Sequence, residues 1–198
     1  VTSSINNNNQ PSTTMKKLSL LLIATAFVTL TAFVQADNKL ISTASHISFY
    51  SHTDAEDITA DNYKATSTLD KTTGDVVYSV PMQSFEFKKA LMQKHFNSEK
   101  FLNTKAFPKS KFKGAITNIS AVNFTKDGQY PVTVKGDLTI KDVTKPVTEQ
   151  GTITITNGKV HVDCKMSIVL ADYNISLTDG KPSTNVAKTV DITINSDY

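Results

Sequence analysis

Arginine is absent from this chain, cysteine occurs once (Cys164), and there are only four histidines, at 46, 52, 95 and 161. Each scarcity removes a class of function. Arginine is the favoured residue for bidentate guanine readout and for phosphate clamps, so a nucleic-acid partner is not expected. The sequence pI of 8.8 points the other way, but Lys16 and Lys17 supply two of the three formal net positive charges. One cysteine excludes an internal disulfide. It lies in Val160–Leu170 on the same alternating face as Val160, Val162, Met166, Ile168 and Leu170, the placement of a core thiol and not of an exposed nucleophile. A metal site needs two or three convergent ligands. His46 and His52 share a strand face opposite Ile47 and Phe49, and His161 alternates away from Cys164 and Met166, so only His95 lies near an apolar cluster. A lone histidine beside aromatics reads first as a packing or hydrogen-bonding residue. No nucleophile elbow, HExxH helix, P-loop or dinucleotide fingerprint occurs, and the carboxylates are scattered over turns and polar strand faces. The expected protein is not an enzyme, with no metal and no catalytic residues.

The N-terminal region reads separately. Residues 1–14 are a polar, Asn-rich run without periodicity. Met15-Lys16-Lys17, an apolar segment from Leu18 to Val34 and then Val34-Gln35-Ala36 are the three parts of a secretory signal peptide. The expectation is that Met15 is the initiator, that 1–14 is an over-extended start, that 15–36 is the signal peptide, and that cleavage follows Ala36. A membrane anchor is the rival reading. It is weakened by a segment slightly short of the ~20 residues needed to span, with Ser and Thr inside it. No cysteine follows to carry a lipid anchor. Cleavage leaves residues 37–198 as one domain with 19 lysines against 18 acidic residues, periplasmic or secreted. Asn118-Ile-Ser, Asn123-Phe-Thr and Asn174-Ile-Ser fit the glycosylation pattern, which matters only in a eukaryotic secretory route.

Most of 37–198 alternates apolar and polar residues, the period of half-buried strands. Val132, Val134, Gly136, Leu138 and Ile140 face one way while Thr133, Lys135, Asp137, Thr139 and Lys141 face the other. Gly136 on the apolar face predicts a bend, a bulge or a close approach by another group. Asp142 to Pro146 are read as a connection to a second strand through Val147, Gly151, Ile153 and Ile155. Further strands are expected through Ile47 and Phe49, Val76–Met82, Phe112–Val122, Val160–Leu170 and Val186–Ile194, with a Thr-rich stretch at 58–69. Turns are expected at Asp70–Gly74, Asp127-Gly128, Asn157-Gly158 and Asp179-Gly180. Many strands joined by tight turns argue for an antiparallel sandwich or closed barrel.

One segment breaks the pattern. Residues 88–99 lack β-branched side chains, and Phe87, Leu91 and His95/Phe96 recur at helical spacing, which predicts a short amphipathic helix. Phe85, Phe87, Phe96, Phe101, Phe107 and Phe112 all fall in this region. The residues alone leave two readings open: the phenylalanines plug a packed barrel, or they line a site for an apolar ligand. Lys88, Lys89 and Lys94 are likewise either a solvated helix face or contacts for a polar headgroup.

The stretch from Val132 to Val147 resembles the hallmark of the YceI family, an LTI-x-GVTKPV-like segment, with Asp142 where glycine is commoner. Phe107-Pro108-Lys-Ser-Lys-Phe112-Lys-Gly114 resembles that family's return from a helical insertion. Gln93-Lys94-His95-Phe96 stands where many members show Asp-x-His-Leu, so the Asp is missing, and Ala44–Phe49 is a looser form of the N-terminal signature. The resemblance covers about residues 40–195. It implies an all-β, lipocalin-like antiparallel barrel of about eight strands with a short helical insertion, and eight strands enclose room for one small ligand. It further implies a non-enzymatic protein holding a polyisoprenoid, quinone-like or fatty acyl lipid, with no cofactor besides that lipid. The lining set it implies is Phe49, Val80, Met82, Phe85, Phe87, Leu91, Met92, Phe96, Phe101 and Phe107, with His95 as a polar contact near the ligand end. Expected partners are the apolar lipid and a membrane met transiently. The oligomeric state is left open, with a homodimer as one option. A structural or stress-related barrel with a fully packed interior is the alternative.

Overall fold

The computed structural model describes residues 1–3, 38–175 and 185–198. The expectations for the signal peptide and for the Asp179-Gly180 turn fall outside the described residues. The chain divides into a unit of residues 1–36 and a unit of residues 37–198, and every element below belongs to the second.

Among the described residues nine strands and one α-helix follow in order: β1 (Lys39–His52), β2 (Asp57–Asp70), β3 (Asp75–Pro81), β4 (Glu86–Phe87), α1 (Ala90–Asn97), β5 (Lys109–Ile116), β6 (Gly128–Ile140), β7 (Val143–Thr156), β8 (Lys159–Val169) and β9 (Thr189–Asp197). Hydrogen bonding runs β1-β9-β8-β7-β6-β5-β3-β2, and β1 pairs β2 to close the ring. All pairings are antiparallel. This is a closed eight-stranded barrel, with β4 a short ninth strand that pairs Ala60 and Asp61 of β2. Closure removes the free sheet edges that would otherwise invite association.

An up-and-down order gathers alternate connections at the same end. The β1–β2 turn, the helical insertion, the β6–β7 turn and the β8–β9 connection share one rim, and the β2–β3, β5–β6 and β7–β8 connections share the other. The second rim is packed. Leu69, Val132, Ile153 and Ile155 are almost completely buried there, and the 3-10 turn Ile119–Ala121 tucks Val122 in beneath them. Asn157 and Gly158 both adopt positive φ (52° and 77°), the left-handed pair that a two-residue hairpin between twisted strands requires.

Two irregularities in β1 and β2 compensate each other. Ser42 pairs Ser67, Ser45 pairs Ala65 and Ile47 pairs Asn62, so β1 carries an extra residue at Thr43–Ala44 and β2 carries one at Tyr63–Lys64. Each bulge switches which parity faces inward. Ser42 is buried below the bulge in β1, and Ser45, Ile47 and Ser51 are buried above it.

Three element boundaries differ from expectation. The connection read at Asp142–Pro146 is only Lys141 and Asp142, because Val143–Pro146 already pair with Asp137–Ile140. Pro146 is tolerated because β7 finds β8 only from Gly151 onward, leaving that stretch with one paired side. The strand expected over 112–122 stops at Ile116, where the chain turns to cap the barrel, and the last strand begins at Thr189 rather than Val186. The 88–99 helix is confirmed as Ala90–Asn97.

Candidate ligand cavity

Gly136 explains how the wall makes room. It pairs directly with Gly114 of β5, and the ring of Phe112 lies over both. A Cβ at either position would come within 2.7 Å of the Phe112 ring. The ring lies against bare backbone and leaves the interior open beside it. Phe112 therefore takes the place that two inward side chains would have filled.

The result is a cavity of about 600 Å³ running from the packed rim to the helical insertion, within the range of small-molecule sites. Its lining is overwhelmingly apolar. Of the two readings that the residues leave open, the cavity matches the ligand-lining one: the phenylalanines cap one end and leave the interior open. Leu69, Val76, Ile116 and Val132 form the floor, together with Tyr78 and Tyr198. Behind the two phenols lies a buried hydroxyl network. Tyr198 Oη meets Ser67 Oγ at 2.7 Å, Tyr78 Oη meets Ser196 Oγ at 2.9 Å, and Ser45 joins Ser42, Ser67 and Ser196 at 2.8 to 3.2 Å. These partners satisfy polar groups that would be costly to bury alone. Burial pushes the Tyr78 phenol far above its ordinary value, so it stays a neutral hydrogen-bonding group.

The lid is aromatic. Phe49 of β1 stacks on Phe96 of α1 at 5.7 Å between ring centroids, and Phe85, Phe87 and Phe101 surround Phe96 at 5.0 to 6.4 Å. An eight-residue helix without a side-chain N-cap is marginal alone. Burial of Phe96 in this cluster is what seats it. At the mouth Lys89 Nζ donates to Glu56 Oε1 at 2.6 Å and Asn185 Nδ2 donates to Glu56 Oε2 at 3.3 Å. The Lys89 hydrogen bond holds the Glu56 carboxyl below its ordinary range. Lys141, at φ 55°, donates from Nζ to the carbonyls of Phe101 (3.2 Å) and Asn174 (2.9 Å), tying the β6–β7 turn to the lid loop.

Of the residues named from sequence, Phe49, Val80 and Met82 line the walls, Phe85, Phe87, Phe96 and Phe101 line the lid, and Leu91, Met92 and His95 line the helical side of the mouth. Leu91 is nevertheless 63% exposed. Phe107 does not line the cavity and is a correction: it lies in the loop leading back to β5, where its backbone N–H closes a turn onto the Asn103 carbonyl. Lys88 and Lys94 are exposed, and only Lys89 reaches the mouth. His46, His52 and His161 point outward to Asp61, Asp57 and Asp197 at 2.6 to 2.8 Å. Among the described residues no group of three or more His, Cys, Asp or Glu could hold a metal.

Sequence reasoning missed several lining residues that alternation does mark: Tyr78, Phe112, Leu138, Ile192 and Glu149. Cys164 and Met166 face inward as expected, but onto the cavity and not into packed core. The Cys164 thiol donates to the Gln150 carbonyl at 3.5 Å, and burial, with the nearby Glu149 charge, pushes it up to about 11.

Comparison with known proteins agrees with this architecture. The YceI-like domain matches residues 38–198. The structure of BcnA from Burkholderia cenocepacia superposes with TM-score 0.65 at 20% identity, covering 78% of this chain and 96% of that one. A polyisoprenoid binding domain from Saccharophagus degradans, implicated in plant cell wall breakdown, gives TM-score 0.69 at 13% identity, covering 81% and 97%. The YCEI protein of Campylobacter jejuni gives 0.52 at 14%, covering 68% and 79%. No curated protein sequence matches the chain. With its barrel, its helical insertion and a domain match over nearly all of 37–198, this chain belongs to the YceI family.

Proposed function

We propose that the protein is an exported, non-enzymatic carrier or store for a long apolar lipid: a polyisoprenoid, a quinone-like lipid or a fatty acyl chain. The observation that carries this reading is the open apolar cavity of about 600 Å³ between the hydroxyl-backed floor and the phenylalanine lid. A hydrocarbon chain needs no polar clamp there. Ten enclosed methylenes contribute about 8 kcal/mol at ~0.8 each, comparable with the lower part of the roughly 4–15 kcal/mol cost of association. A ligand of ten carbons or more is therefore the kind the cavity holds. The ligand of the Saccharophagus domain, a polyisoprenoid, is of this type. The signal-peptide pattern at 15–36 supports export, and loading or release would need transient contact with a membrane.

The test is extraction of the purified 37–198 domain with organic solvent, followed by mass spectrometry and by titration with prenyl and acyl lipids. A recovered apolar molecule, or saturable binding of an added one, supports the proposal. Neither result being obtained would sink it.

A further inference from the structure

Among the described residues, one break in the barrel ladder is not bridged by another strand. β7 and β8 pair from Thr156/Lys159 up to Gly151/Cys164, and there the ladder ends, although β7 continues to Val143 and β8 to Val169. Extended one and two steps, the same register would set Gln150 against Lys165 and Glu149 against Met166. Neither pair forms. The Gln150 carbonyl, which accepts from the Cys164 thiol, is directed towards β8, and four residues on Pro146 has no N–H to offer on that side. The comparable divergence of β3 from β2 above Thr66/Ser79 is bridged by β4 and by the Asn62 side chain on the Pro81 carbonyl at 2.8 Å. Among the described residues no strand bridges β7 and β8.

Glu149 stands at this split. It shares the inward parity of Lys145, Val147, Gly151 and Ile153; Lys145 Nζ is paired with Asp172 at 3.1 Å, and Glu149 is the carboxylate of that row. It lines the interior cavity, and it also lines a groove on the outer wall with Tyr50, Lys165, Ser167, Asp191 and Thr193. Met166 and Ile192 line both as well. Side chains at the split thus face both the interior cavity and the outer groove, and Glu149 is one of them. Among the described residues its carboxylate has no hydrogen-bond or ion-pair partner, and its electrostatic neighbour is the Cys164 thiol. Desolvation raises the Glu149 carboxyl above its ordinary value. Of the charged groups on the outer groove, Lys165 is exposed and Asp191 already accepts from Ser167.

We propose that Glu149, at the split between β7 and β8, is a polar subsite of the cavity and binds the hydroxyl end of a lipid alcohol or phenol in preference to a lipid phosphate. The inference rests on the lipid-binding reading above and specifies the head that goes with the chain. A carboxylate accepts a hydrogen bond from a hydroxyl and repels a phosphate, and a charge-assisted bond corresponds to roughly one to two orders of magnitude in a binding constant.

The experiment uses the delipidated 37–198 protein and measures displacement of a neutral fluorescent apolar probe by farnesol and by farnesyl phosphate, which share one chain and differ in the head. Native protein is expected to bind farnesol about tenfold or more tighter than farnesyl phosphate. Glu149→Leu should weaken farnesol by about tenfold while still displacing the probe with a plain fifteen-carbon hydrocarbon, and Glu149→Lys should reverse the preference towards the phosphate. Circular dichroism checks that each variant is folded. Equal binding of the two probes by native protein, or farnesol affinity unchanged in both variants, would overturn the Glu149 subsite while leaving lipid binding intact. Failure of farnesol, farnesyl phosphate and the hydrocarbon alike to displace the probe would overturn both.

Discussion

Replacing Gly136 by alanine tests the wall geometry directly. The new Cβ would lie 2.5 Å from the Gly114 Cα, 2.5 Å from the Lys113 carbonyl oxygen and 2.7 Å from the Phe112 ring. Two of these three neighbours are backbone of a paired strand and cannot rotate away. Overpacking of this kind costs about 1–3 kcal/mol, and alanine returns about 0.4–1 kcal/mol by restricting the unfolded chain. A net loss of about 1–2 kcal/mol follows, or a fall in Tm of roughly 2–8 °C for a domain of this size. Gly128 in the same strand supplies the control. Its Cβ would meet only the Tyr130 ring, at 3.4 to 3.5 Å, so Gly128→Ala should be neutral or slightly stabilising. Adding Phe112→Leu to Gly136→Ala should recover only part of the loss, because the backbone contacts remain. The assay is thermal unfolding followed by circular dichroism. Gly136→Ala melting at or above the native temperature would refute the close-approach argument.

Phe96→Ala should cost about 3–5 kcal/mol in urea unfolding, since this buried ring joins the helix to Phe49, Phe85, Phe87 and Phe101; a loss under 1 kcal/mol would show that the helix is seated some other way. Cys164 should react with a thiol reagent at pH 8 on the order of a hundredfold more slowly in the folded protein than in urea, because its thiol is pushed up to about 11. Equal rates would mean that the thiol is not buried. His161 lies between Asp197 and Asp163; burial opposes its charge, but the two carboxylates win and raise its pKa. The stabilisation is then complete below the unfolded value and lost as pH rises through the higher folded one. His161→Gln should accordingly lower Tm more at pH 5.5 than at pH 8.5, and a Tm difference that is the same at both would contradict this.

Much of the barrel was legible because its walls have one wet side. Alternation through Val132–Ile140 marks β6 without ambiguity, and Asn157-Gly158 could be read as a turn because few other dipeptides take two left-handed residues. The phenylalanine-rich segment was also readable, since helical spacing and missing β-branched residues point the same way. Alternation is harder to read where a charged residue sits on the inward face. Val147, Gly151 and Ile153 mark one face, and Glu149 shares it although a charged residue is expected outside. Composition alone does not separate Phe107 from its neighbours, although a turn in the chain takes it off the cavity wall. The serines at 42, 45, 67 and 196 were illegible for another reason. Each is polar, and only the three-dimensional network shows that their hydroxyls satisfy one another.

The opposed bulges of β1 and β2 bear on how this chain can change in length. Each strand holds one surplus residue, and the two surpluses cancel across the hairpin. Losing Ala44 alone would leave Tyr63–Lys64 uncompensated and rotate either Ser42 or Ile47 out of the interior. Losing one residue from each bulge together would restore a straight ladder with both halves in phase. Insertions and deletions at 43–44 and 63–64 are therefore coupled events, tolerated in pairs and harmful singly, even though the two sites are some twenty residues apart in the chain.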